Sequence, residues 1–71
     1  MLIEMPNGDW FDPAEVTSVT YFGQGSDWTV QVSLRNAETY PVVETADRKS
    51  ANAAAREVAL AINVALSAVE P

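Results

Sequence analysis

The sequence predicts an α+β domain: a small antiparallel sheet of three to four strands, built from β-hairpins, with one C-terminal helix packed across one face. Two patterns carry that expectation. Residues 28 to 35 alternate strictly, with Trp28, Val30, Val32 and Leu34 on one face and Thr29, Gln31, Ser33 and Arg35 on the other. Residues 47 to 69 instead carry apolar side chains at helical spacing, and a proline stands at position 71. Size bounds the rest: 71 residues without cysteine make one domain over 1–71, with strands over about 2–44 and room for a single core.

Leu2 to Met5 form the first short strand, and Asn7-Gly8-Asp9 follows as a tight turn because both Asn and Gly tolerate positive φ. Trp10 and Phe11 start the return strand, which Asp12-Pro13 ends. Proline fixes φ and lacks an N–H, so Pro13 opens a turn or a single helical turn through Ala14 and Glu15. Val16 to Phe22 are β-branched or aromatic and form a strand. Gly23 to Asp27 form the loop into the alternating strand, which ends in a two-residue turn at Asn36-Ala37. The last strand, Glu38 to Val43, sets Tyr40 and Val42 on one face. Pro41 cannot donate to a ladder, so this strand belongs at a sheet edge.

The helix starts near Asp47 or Ser50, both good N-caps, and runs to about Val69. At about 100° per residue, Ala51, Ala55, Val58, Ile62, Leu66 and Val69 make one stripe that faces the sheet. Asn52, Arg56, Asn63, Ser67 and Glu70 form a polar wedge beside it. The remaining arc is apolar again, so roughly two thirds of the circumference lacks a polar face. Alanine is neutral on a surface, which accounts for Ala53, Ala54, Ala61 and Ala68. Leu60 and Val64, one turn apart on the same line, need another explanation. The expected one is an oligomer interface formed by Ala53, Leu60, Ala61, Val64 and Ala68.

Chemistry is sparse. There is no histidine and no cysteine, which excludes Ser/His/Asp and Cys/His nucleophile systems, zinc thiolate sites and imidazole acid–base work. No catalytic residue, cofactor or metal site is expected, and the chain reads as no enzyme. Asp9, Asp12 and Glu15 are the one carboxylate group with a claim to a cation, but their spacing does not match a calcium loop. Gly23-Gln24-Gly25-Ser26 joins two strands and opens no helix, so it is no phosphate loop. In the pairs Trp10-Phe11 and Tyr21-Phe22 one ring points in and one out. Exposed rings rimmed by charge make Asp9, Trp10, Phe11, Asp12 and Asp27 a candidate partner surface. Arg48 and Lys49, at the helix start, are the candidate anion contact.

Ten acidic and four basic residues leave a net charge of −6, which opposes direct contact with nucleic-acid backbone or an anionic membrane. No stretch fits a secretory or membrane-spanning segment, so a cytoplasmic location is expected. The function expected is a non-catalytic acidic interaction protein: a homodimer or higher oligomer that binds or inhibits a macromolecular partner with a basic surface. Short acidic chains of this kind recur among viral and mobile-element accessory proteins that block a host factor, an association and not a physical argument. The alternatives are an oligomer that sequesters a small molecule or anion, and a structural subunit of a larger assembly.

Overall fold

The structure, a computed structural model, describes residues 1–69, with Val69 described by its backbone alone. Expectations placed on the Val69 side chain, on Glu70 and on Pro71 lie outside the described residues. The order is β1 (Ile3–Glu4), β2 (Trp10–Phe11), a 3-10 turn (Pro13–Glu15), β3 (Val16–Gln24), β4 (Asp27–Leu34), β5 (Thr39–Thr45) and α1 (Arg48–Val69). β3, β4 and β5 form an antiparallel sheet in that order, β1 and β2 pair as a separate hairpin, and α1 lies across one face. The fold is α+β, with β5 at an edge as Pro41 required.

The alternating strand β4 is the middle of the sheet, paired with β3 on one side and β5 on the other through two consecutive hairpins. Val30 and Val32 are fully buried, and Val42 of β5 joins them. Opposite stand Ala51, Ala55, Val58 and Ile62 of α1, all buried, with Met5 closing one side. Two alanines in the first two turns let the helix backbone approach the sheet closely. A bulge in β5 sets Val30 against Val43 and Gln31 against Pro41, so Val42 and Val43 both face the helix. Leu66, expected on the covered stripe, is exposed instead: the stripe runs out past Ile62, where α1 overlies only the first residues of β3.

Local chemistry sets the element ends. Asp12 Oδ1 accepts from the Ala14 N–H at 3.0 Å and caps the 3-10 turn. Asp47, not Ser50, caps α1: its Oδ1 accepts from the Ser50 N–H at 2.7 Å, and its carbonyl accepts from the Ala51 N–H at 3.1 Å. The Ser50 backbone and hydroxyl bonds hold the Asp47 carboxyl below its ordinary pKa. A depressed carboxyl stabilises the fold above its unfolded pKa, and that contribution fades as pH falls through the lowered value.

The loops differ from the sequence expectation in three places. The first turn is Pro6-Asn7-Gly8, with Gly8 but not Asn7 at positive φ. Gln24 pairs with Asp27, so the turn between β3 and β4 is only Gly25-Ser26, while Gly23 and Gln24 extend β3 and Asp27 begins β4. Gly25 has φ 60°, the positive first position of a II′ hairpin turn. The loop after β4 has three residues and not two: the Ala37 N–H donates to the Leu34 carbonyl, and the Leu34 N–H donates to the Glu38 carbonyl. Arg35 therefore leaves the strand. Its Nε donates to the Ala14 carbonyl at 3.1 Å and its N–H to the Glu15 carbonyl at 3.0 Å.

This loop repeats the first one. Gly8 N–H donates to the Met5 carbonyl, Met5 N–H to the Asp9 carbonyl, and Asn7 Oδ1 accepts from the Asp9 N–H, as Asn36 Oδ1 accepts from the Glu38 N–H. The third loop residue has positive φ in both, 93° at Gly8 and 71° at Ala37. Only one of them is glycine. A Cβ in the left-handed region costs ~1–2 kcal/mol, and glycine gives back ~0.4–1 kcal/mol through unfolded-chain entropy. Ala37→Gly is therefore expected to raise stability by roughly 0.5–1 kcal/mol, read as a higher urea midpoint. A lower midpoint would contradict that account of the loop.

Candidate functional site

Three of the carboxylates hold local structure. Asp12 and Asp47 cap helical turns, and Asp9 Oδ2 accepts from the Asn7 amide at 3.0 Å. Among the described residues, no group of three or more acidic side chains stands close enough to hold a metal ion. The candidate cation cluster of Asp9, Asp12 and Glu15 therefore does not form. Arg48 and Lys49 are exposed in the first turn of α1, beside the capping Asp47.

The aromatic pairs split as alternation requires. Phe11 turns inward and packs on Tyr40, with ring centroids 5.3 Å apart and planes at 53°, while Trp10 remains 59 % exposed. The Tyr40 hydroxyl donates to Glu38 Oε2, and that bond to an anion raises its pKa. Tyr21 turns inward beside Trp28, with centroids 6.4 Å apart, and Phe22 points out. Trp28 folds back over the hairpin, and its Nε1–H donates to the Gly25 carbonyl at 3.0 Å. The candidate partner surface does not assemble as a unit. Asp27 opens β4, whereas Phe11 packs on Tyr40, which pairs with Val32. Five residues of strand separate those two places by about 17 Å. Asp9 and Trp10 are exposed beside the first loop, Asp12 caps the 3-10 turn beyond β2, and Phe11 is half-buried against Tyr40.

The outer side of α1 is apolar and exposed. Leu60 is 63 % exposed and Val64 59 % exposed, and Ala53, Ala61 and Ala68 extend the same surface. These side chains project away from the sheet because Val58 and Ile62 hold the opposite side of the helix on the core. Glu57 is the charge on this arc. The arc continues at Ala61 into a groove of about 200 Å³ between α1, β5 and the first loop, lined also by Met5, Pro6, Val43 and Ala54. Pro6 and Val43 escape a reading of the helix alone, whereas Ala54 lies on the outer arc that helical spacing gives. The Val42-Val43 doublet, which breaks strand alternation, is the one trace of Val43 in the sequence.

No helix among the described residues is long and apolar enough to cross a membrane. No protein family, no curated protein and no solved structure matches the chain.

Proposed function

We propose that the chain is a non-catalytic interaction protein that assembles with itself through the outer side of α1 and binds a macromolecular partner with a basic surface. The carrying observation is the exposure of Leu60 and Val64 on one line of a helix whose opposite side is already buried. A domain of 71 residues hides little apolar surface of its own, and a second copy laid on this arc adds the burial a small core lacks. Alanines at 53, 61 and 68 let two helix backbones approach closely, as small residues do wherever helices pack. The net charge of −6 gives the assembly a field that attracts basic surfaces and weakens with salt. An inhibitor or accessory role toward such a partner rests on likeness in size and charge alone, an association and not a physical argument.

Leu60→Glu tests the assembly. The substitution sets an unpaired carboxylate into the contact, while in the isolated chain it changes only a solvent-facing position. Light scattering at tens of micromolar should give a multiple of 7.7 kDa for the wild type and a reduced mass for the variant, with unchanged far-UV circular dichroism. A wild-type mass that Leu60→Glu does not lower would remove the helix contact.

A further inference from the structure

The first loop joins β1 to β2 and also lies over the edge strand β5. Asn7 makes both connections. Its Oδ1 accepts from the Asp9 N–H at 3.1 Å, and its Nδ2 donates to Asp9 Oδ2 at 3.0 Å. The same Nδ2 donates to the Pro41 carbonyl at 2.9 Å, 34 residues away along the chain. Asn7 and Pro41 line one cleft there with Pro6, Val42 and Glu44. The hairpin itself is short, with two residues in each strand and the pairs Ile3–Phe11 and Glu4–Trp10. Met5 and Phe11 pack it on the core, and the Asn7 amide ties its turn to the sheet.

Asn7 is followed by Gly8, and both are exposed to water. With no Cβ beside it, the Gly8 nitrogen can approach the Asn7 side chain closely. Its attack on Asn7 Cγ forms an N–Cγ bond and breaks the Cγ–Nδ2 bond, and Nδ2 leaves as ammonia with the Gly8 amide proton. Water then opens the cyclic imide, at Cγ to give aspartate or at the Asn7 main-chain carbonyl to give isoaspartate. One water is consumed, one ammonia is released, and nothing is oxidised or reduced. The closed loop blocks the first step. The Gly8 N–H donates to the Met5 carbonyl at 2.9 Å, and three further bonds hold the Asn7 amide. These must release before the nitrogen reaches Cγ.

We infer that Asn7 is a one-way latch: a deamidation site that the closed loop silences and that, once converted, keeps the loop from closing again. The product has lost Nδ2. A carboxylate at position 7 offers no hydrogen to the Pro41 carbonyl. It also stands against that carbonyl oxygen and the Asp9 carboxylate, which both repel it. Isoaspartate instead adds a methylene to the main chain of a three-residue loop whose length its hydrogen bonds fix. Met5 and Pro6 line the groove of about 200 Å³ beside α1, so release of the loop opens that groove. The latch rests neither on the Leu60–Val64 contact nor on a basic partner.

Peptide mass mapping can follow conversion at Asn7 in the folded wild type and in urea, while NMR measures hydrogen exchange at the Gly8 N–H. Both reactions need the same opening of the loop. Folding should therefore slow conversion by the factor by which it protects the Gly8 amide, about tenfold or more. Asn36, Asn52 and Asn63, none followed by glycine, serve as internal references. In Asn7→Asp, the Met5 and Gly8 amides should lose protection while those of Val30 and Val32 in β4 keep theirs. Conversion as fast in the folded protein as in urea overturns the inference, and so does wild-type protection of Met5 and Gly8 in Asn7→Asp. The rate comparison needs only the wild-type chain, so it decides even if the variant fails to fold.

Discussion

Gly23→Ala is expected to cost about 3 kcal/mol of folding stability, at the upper end of the usual penalty for overpacking. Gly23 pairs with Trp28 across the β3–β4 hairpin. A Cβ at position 23 would collide with the Asp27 carbonyl oxygen and stand 2.7 Å from Trp28 Cα and 2.9 Å from Trp28 Cδ2. Two of those three atoms are backbone and cannot rotate away. The hairpin would have to open locally, lifting the Trp28 indole off the Gly25 carbonyl and away from Tyr21. A 71-residue domain has about 4–10 kcal/mol in all, so a large fraction of the fold is at stake. Urea unfolding followed by far-UV circular dichroism measures it, and a cost below about 1 kcal/mol would mean that the strands part there without strain.

Ile62→Ala should cost a similar amount, about 3 kcal/mol, by the transfer of the lost methylenes and the cavity they leave. Ile62 is the largest buried side chain that α1 contributes, since the other three are Val58, Ala55 and Ala51. Among the described side chains of α1 it is also the last that is buried. Its removal takes away the anchor that holds the C-terminal half of α1 in place, and Leu60 and Val64 with it. Thermal and urea unfolding should both register the loss. A cost under about 1 kcal/mol would show that Val58 and two alanines hold the helix without help.

Much of this was legible beforehand, for reasons that differ by element. The alternation through Val30 and Val32 marked a strand with one face on the core, because burial on one face imposes a period of two. Asp12-Pro13, Asn7-Gly8 and Asp47 were readable because each acts on backbone groups within four residues of itself. The proline in β5 marked an edge by its missing donor. The hairpin lengths were not readable. Gly23 looks like loop in a sequence rich in Gly and Ser, yet it lies in a strand because Trp28 needs a partner without a side chain. Ala37 offers no sign of its left-handed backbone, since alanine seldom adopts it and the hydrogen bonds of the loop impose it.

The candidate sites divide along the same line. The outer apolar arc of α1 was visible as helical spacing, and the structure leaves it open to solvent in the single chain. The grouping of Asp27 with Asp9 and Asp12 failed, because sequence shows which residues are acidic and not which end of a strand they reach. Periodicity, caps and composition therefore determined the element types, the buried face of β4 and of α1 as far as Ile62, and the net charge of −6, all of which arise from neighbours in the chain. Tertiary structure alone decided that β5 is shielded while β3 is open, that Val43 and Pro6 extend the helix arc, and that Gly23 lies under Trp28. Those features depend on which distant segments meet, and a strand cannot record in its own residues whether another lies beside it.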